Sequence, residues 1–144
     1  MRSNEEFARY IDATLLKPNV TQEDMRQHLE AARRFHFKTV AIGCAWIPYA
    51  KELLAESDVG IDAPIGFPNG YSTTESKVFE TIDAFAKGAT EADILINIGW
   101  LRSGRYAELE DELKRFVAAA GGKVTKVILE IGRAHVRTPV TYAD

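Results

Sequence analysis

Short β-rich apolar segments recur every ~25–30 residues along this chain, with helical patterns between them, and that period limits the architecture more than any single residue does. The segments are Ile11–Leu15, Thr39–Ile42, Ile61–Ile65, Ala92–Ile98 and Val124–Ile131. The run Lys38-Thr39-Val40-Ala41-Ile42 lacks alternation, as expected of a strand buried on both faces and paired in parallel. Strands alternating with helices predict an α/β fold joined by right-handed crossovers. Length then becomes informative. Eight units of ~28 residues would need ~225, within the ~200–250 typical of an eight-fold β/α barrel, whereas this chain has 144. A barrel would be unfinished at this length, and five units leave open whether the chain is part of a larger barrel or a small complete domain such as a doubly wound five-stranded binding module.

The intervening helices carry their own signals. Thr21 precedes Gln22, Glu23 and Asp24, an N-cap followed by acids at the positive end of a helix dipole, and Met25, Leu29, Ala32 and Phe35 recur at helical spacing. A brief helix is expected over Ile47–Leu54. Ser72, Thr73 and Thr74 supply caps before Glu75, and Val78, Phe79, Ile82, Phe85 and Ala86 form an apolar stripe ending at Gly88. Tyr106–Ala120 reads as a helix stopped by Gly121-Gly122. Between the third strand and its helix, Gly66-Phe67-Pro68-Asn69-Gly70 clusters turn formers at a strand's C-terminal end, the edge that carries active sites in parallel β/α folds.

Eighteen basic and 21 acidic residues leave a net charge of -3, which argues against nucleic acid or an anionic membrane as partner. Cys44 is the single cysteine, so an intramolecular disulfide and a multi-cysteine zinc site are excluded. Met1–Ala8 lacks the apolar core of a secretory signal, and no apolar run reaches the ~18–20 residues needed to span a bilayer. A cytoplasmic location is expected.

Chemistry is expected where polar residues interrupt strands. Asp93 and Asn97 lie four apart, so on one strand both project from the same face, as does Leu95; Lys126 and Glu130 repeat that spacing on the next. A polar group on a strand covered on both sides must be hydrogen-bonded, ion-paired or functional, because leaving it unsatisfied costs about 1–3 kcal/mol. An Asp beside a Lys suits proton transfer, since the cation lowers the carboxyl pKa while burial raises it; the same pair can be purely structural. Asp12 by itself reads as a cap or turn acid. Cys44, without an evident base partner, reads as small packing rather than a nucleophile. His28 and His36 lack ligand neighbours at helical spacing and read as surface residues. No phosphate loop, dinucleotide glycine fingerprint or nucleophile elbow is present.

Four stretches together resemble the deoxyribose-phosphate aldolases, class I aldolases on a TIM (β/α)8 barrel. They are Ile11-Asp12-Ala13-Thr14-Leu15-Leu16-Lys17-Pro18; Ile65-Gly66-Phe67-Pro68 through Thr73-Thr74-Glu75-Ser76-Lys77-Val78-Phe79-Glu80; Asp93 to Gly99; and Gly121-Gly122-Lys123-Val124 through Lys126-Val127-Ile128-Leu129-Glu130. The resemblance implies reversible cleavage of 2-deoxyribose 5-phosphate to acetaldehyde and glyceraldehyde 3-phosphate through a lysine Schiff base, without metal or organic cofactor. It implies a phosphorylated sugar as substrate and allows a homo-oligomer. Asp93 takes the place of the family's proton donor/acceptor, Asp12 a supporting acid's; Lys126 is then a candidate ion-pair partner and Asn97 a candidate substrate contact. Another β/α-barrel enzyme moving protons, an epimerase or isomerase, is the catalytic alternative.

The resemblance also marks departures. In the family the Schiff-base lysine lies on the sixth strand and a second lysine on the seventh, and neither strand is in this sequence, so the chain is expected to be inactive by itself. Gly43-Cys44 stands where Asn-Pro is common, and His36 replaces a Gly at a helix end. Residues 1–131 form the barrel part. From Gly132 the match stops, and Glu130-Ile131-Gly132-Arg133-Ala134-His135-Val136 with Thr138-Pro139-Val140-Thr141 resembles the translation of a sequencing adapter, although Arg137 falls where that frame reads stop. Residues 132–144 are therefore expected to be a non-native tail, and His135 is not taken as a metal ligand.

Overall fold

A contact between the first and last strands fixes the shape of the sheet. In the computed structural model, which describes residues 3–130, five parallel strands run in the order β1 (Asp12–Leu15), β2 (Thr39–Ile42), β3 (Gly60–Ile65), β4 (Glu91–Leu95) and β5 (Val124–Ile128). Strands lie about 4.8 Å apart, so four steps across a flat sheet would separate β1 from β5 by roughly 19 Å. Yet Lys126 Nζ on β5 donates to Asp12 Oδ2 on β1 at 2.8 Å. The sheet therefore curls until its two edge strands face one another across a concave interior. Strand order consecutive with chain order, on a curled sheet, is the arrangement of an α/β barrel; a doubly wound module would need a reversal of order, and that alternative is set aside.

In-register pairing sorts the residues onto two faces. The convex face carries Ala13, Val40, Ile42, Ile61, Ala63, Ile65, Ala92 and Ile94, all buried beneath helices. Those helices are α2 (Gln22–Phe35), α3 (Ile47–Leu53), α4 (Thr74–Lys87) and α6 (Tyr106–Ala120), which bring in Met25, Leu29, Ala32, Ile47, Ala50, Ala84 and Phe116. Short helices α1 (Asn4–Ala8) and α5 (Ile98–Arg102) complete the set. The concave face carries Asp12, Thr39, Asp62, Glu91, Asp93 and Lys126. Among the described residues no helix is long and apolar enough to cross a membrane.

Helix starts follow their caps. Thr21 and Asp24 form a reciprocal capping box at the head of α2, and Thr73 accepts from the Ser76 amide at the head of α4. At the C-terminus of α2, His36 adopts the left-handed conformation (φ 53°, ψ 43°), as its substitution for a helix-ending Gly implied. Gly70 has no substitute: its φ is +68°, and a Cβ there would lie 2.0 Å from Ile96 O, so the turn after β3 packs directly on the chain leaving β4.

Several expectations need correction. The fourth strand ends at Leu95, not Ile98, because Asn97 turns the chain into α5 by accepting from the Trp100 amide. The fifth ends at Ile128, so Glu130 lies off the strand, with φ +48°. The buried face of α4 is not the apolar stripe: Phe79 and Ile82 are exposed, and Thr74, Lys77, Thr81 and Ala84 face inward. Lys77 can be buried because Glu112 of α6 meets it at 2.8 Å, both side chains being 1% exposed, while Leu95 O accepts from the same ammonium at 2.9 Å. Phe35 is exposed at the end of α2. His28 is not a free surface residue, since its Nε2 lies 3.0 Å from Ala13 O and ties α2 to β1. Residues 132–144, the expected tail, lie outside the described residues.

Candidate functional site

The concave face gathers one cation among four carboxylates. Lys126 Nζ stands 2.8 Å from Asp12 Oδ2, 3.3 Å from Glu91 Oε2, 3.3 Å from Asp93 Oδ1 and 3.7 Å from Asp62 Oδ2. Parallel register produces this convergence. Asp93 pairs with Lys126 across β4 and β5, Asp62 with Glu91 across β3 and β4, and Asp12 with Thr39 across β1 and β2. Thr39 donates its hydroxyl to Asp12 Oδ1 at 2.6 Å, and Lys38 adds a second cation 3.7 Å from Glu91 Oε1. A cleft of about 200 Å³ opens onto the cluster, lined by Asp12, Asp62 and Asp93 together with Thr14, Pro64 and Ile128. A larger hollow of about 400 Å³ between Phe7, Ile11, Phe35 and Phe37 is apolar and holds no comparable group of ionisable side chains.

The electrostatics divide the carboxyls by task. Burial tends to raise the Asp12 carboxyl, but hydrogen bonds from Lys126 and Thr39, with the charges of Lys126 and Lys38, outweigh it and hold the group below the ordinary carboxylate range. Asp62 goes the other way, pushed up to about 8, first by burial and then by the charge of Asp93, against the opposing pull of Lys126. Asp93 is also raised, by burial, although Lys126 and the neighbouring Asp62 carboxyl pull it back. Burial would lower Lys126, but its hydrogen bond to Asp12 and the surrounding carboxylates hold it above the usual lysine range. A lysine held in its charged form is not a nucleophile, so Lys126 is an electrostatic partner and not an amine poised to attack a carbonyl.

Asp12, Asp62 and Asp93 bring oxygens within 4.8 Å of one another, a grouping that could hold a cation. That cation is already provided by the protein, in the Lys126 ammonium. What the arrangement can do is exchange protons at a cleft wall: a carboxyl raised by burial beside a fixed positive charge is able both to give and to take a proton.

Of the residues expected from sequence, Asp93, Asp12 and Lys126 come together. Asn97 does not join them, being committed to the cap of α5. Cys44 behaves as packing: its thiol, pushed up to about 12 first by burial and then by Glu80, rests 3.7 Å from Glu80 Oε1. Sequence reasoning missed Asp62 and Glu91. Asp62, in Ile61-Asp62-Ala63, had the same signal as Asp93, a lone acid inside an apolar strand. Also missed were Lys77, which fixes the end of β4 through Leu95 O, and Glu80, which accepts from the Gly66 amide at 2.8 Å beyond β3.

Comparison with known proteins agrees with this geometry. No family model matches the chain. The deoxyribose-phosphate aldolase of Staphylococcus saprophyticus is 48% identical over 124 residues, and that of Bacillus mycoides 48% over 125; each match takes in 86% of this chain and 56% of the relative. The chain thus spans about half the length of the curated relatives it matches. Among solved structures, one described as a deoxyribose-phosphate aldolase from Coccidioides immitis superposes with a TM-score of 0.87 at 30% identity, over 90% of this chain and 51% of that one. The tetrameric deoxyribose phosphate aldolase of Aeropyrum pernix gives 0.77 at 30% identity, over 90% and 55%. Over its described length the chain is thus similar to the N-terminal part of deoxyribose-phosphate aldolases.

Proposed function

We propose that this chain carries the proton-transfer side of an aldolase site, and that in a protein of the relatives' full length it serves the reversible cleavage of 2-deoxyribose 5-phosphate to acetaldehyde and glyceraldehyde 3-phosphate through a lysine Schiff base. The observation that carries this reading is Asp93: a carboxyl raised by burial, 3.3 Å from a permanently charged lysine, at the wall of a cleft. Schiff-base aldol chemistry needs a group that moves protons to and from the carbinolamine and enamine. In this reading Asp93 is that group. Asp12 and Lys126 are positioning residues that set its field. The nucleophilic lysine is supplied from outside these 144 residues, and the chain by itself is inactive.

Borohydride trapping tests this. The 144-residue chain incubated with acetaldehyde should give no reducible lysine adduct, and the chain extended to the relatives' length should give one. In the extended protein Asp93→Asn should lower turnover by about 10²-fold or more, the scale of general acid–base catalysis. Full turnover in that variant would remove Asp93 from the mechanism, and turnover without a reducible adduct would favour an epimerase or isomerase. Residues 132–144 are proposed to be a non-native tail, which adapter-free DNA at those codons would disprove. A homo-oligomeric, cytoplasmic parent is proposed on the same family basis.

A further inference from the structure

Two buried oxygens on the concave face have no hydrogen-bond partner: Oδ1 of Asp62 and Oδ1 of Asp93. They belong to neighbouring strands in register, Asp62 opposite Glu91 and Pro64 opposite Asp93, so the two carboxyls are diagonal neighbours on one face. Lys126 does not satisfy them. Its ammonium donates to Asp12 and Glu91, and its approach to Asp93 Oδ1 at 3.3 Å and to Asp62 Oδ2 at 3.7 Å is that of an ion pair without a hydrogen bond. Two ionised carboxylates here would repel one another and leave both oxygens bare. One proton between them removes a charge and satisfies both atoms together.

We propose that Asp62 and Asp93 are a carboxyl–carboxylate pair sharing one proton, in which Asp62 holds the proton and keeps Asp93 poised at the cleft. The assignment of ends follows from exposure. The Asp62 side chain is 1% exposed and that of Asp93 17%, so the costlier charge to bury is neutralised and the carboxylate faces the cleft. The groups facing the pair are Asp12 on β1, Glu91 on β4 and Lys126 on β5, with Lys38 reaching Glu91 from before β2. One-proton and two-proton forms are the working states. When Asp93 accepts a proton, the pair passes from one negative charge to none; when it releases one, the pair returns to one negative charge. Asp62 keeps its own proton throughout and stabilises the Asp93 carboxylate by donating to it. Asp62 is thus a positioning residue. Its catalytic relevance rests on the function proposed above, but the pairing itself does not.

Carboxyl ¹³C titration of the 144-residue chain tests the pairing without substrate, and amide spectra of the same samples report the folded sheet. Wild type should show one carboxyl of the pair titrating with a midpoint near 8. Asp93→Asn should lower the Asp62 midpoint by about one pH unit or more, since a neighbouring charge is gone; Asp62→Asn should abolish the high step. Two carboxyls that finish titrating below about pH 5 would overturn the proposal, as would an Asp62 midpoint unmoved by Asp93→Asn, because burial alone would then hold the proton. If Asp62→Asn does not fold, wild type and Asp93→Asn decide between these outcomes. An active Asp93→Asn enzyme would break the function reading while leaving the titration result intact, so the two failures are distinguishable.

Discussion

Two lysines meet acids on opposite sides of one sheet, one sealed and one half-buried. Behind it, Lys77 meets Glu112 one to one, with Leu95 O and the Thr74 hydroxyl taking up remaining hydrogen-bonding capacity. Within its concavity, Lys126 serves four carboxylates and leaves two oxygens unsatisfied. A balanced pair sealed from solvent serves as a structural joint between α4, α6 and the end of β4. An unbalanced cluster open to a cleft stores protonation states that can change. The stoichiometry of charge and the presence of a cleft separate architecture from chemistry here, where residue type alone does not.

The sealed pair should give the largest effect when broken. Glu112→Ala strands a buried ammonium and should cost about 3–5 kcal/mol in urea unfolding, whereas the double replacement Lys77→Met with Glu112→Leu should recover most of that loss. A double variant as unstable as the single one would mean that the pair does more than fill its space. Lys126→Met comes next. It should cost about 1–3 kcal/mol at pH 7 and less at strongly acid pH, as Asp12, held below the ordinary carboxylate range, finally loses its charge; a loss independent of pH would make the cluster a second structural joint.

Intact chain should show the same contrast through pH alone. Asp62 binds its proton more tightly folded than unfolded, so its contribution is fully present below its unfolded value of 3.8 and is lost as the pH rises towards about 8. Asp12 has the opposite sign: its carboxyl is held below 3.8, and its contribution is present above that value and lost as the pH falls through the folded one. Unfolding free energy should therefore decline between about pH 4 and pH 8 and also at strongly acid pH, measured by denaturant titration at each pH. A flat profile above pH 4 would remove Asp62 as a proton store. The smallest effect is expected far from both lysines. His36→Gly relieves a left-handed non-glycine but gives up the exposed contact of His36 with Asp58, for a net gain below about 1 kcal/mol by thermal unfolding.

Much of the scaffold was legible before the structure. The segment Thr39–Ile42 and the helix Tyr106–Ala120 stand where their patterns place them, because a buried apolar run and a double-Gly stop are local signals. The errors cluster where local and tertiary signals disagree. Asn97 continues an apolar strand on paper but is drawn into a cap once the chain must turn. Phe79 and Ile82 look like a core stripe, yet the buried face is set by the partner available to Lys77, which lies 35 residues away.

The candidate site divides in the same way. Asp93 and Lys126 could be picked out as polar interruptions of strands, and the family resemblance added Asp12. Asp62 interrupts its strand in the same way, but nothing along the chain places it beside Asp93. By itself the sequence determined the β/α period, the parallel strands and most caps, because those depend on contacts within a few residues. Only the curl of the sheet decided that Asp12 and Lys126, 114 residues apart, would share a hydrogen bond, and that one lysine would face four acids. Side-chain charges act over a few ångströms of space, and that proximity is set by strand order and curvature rather than by spacing along the chain.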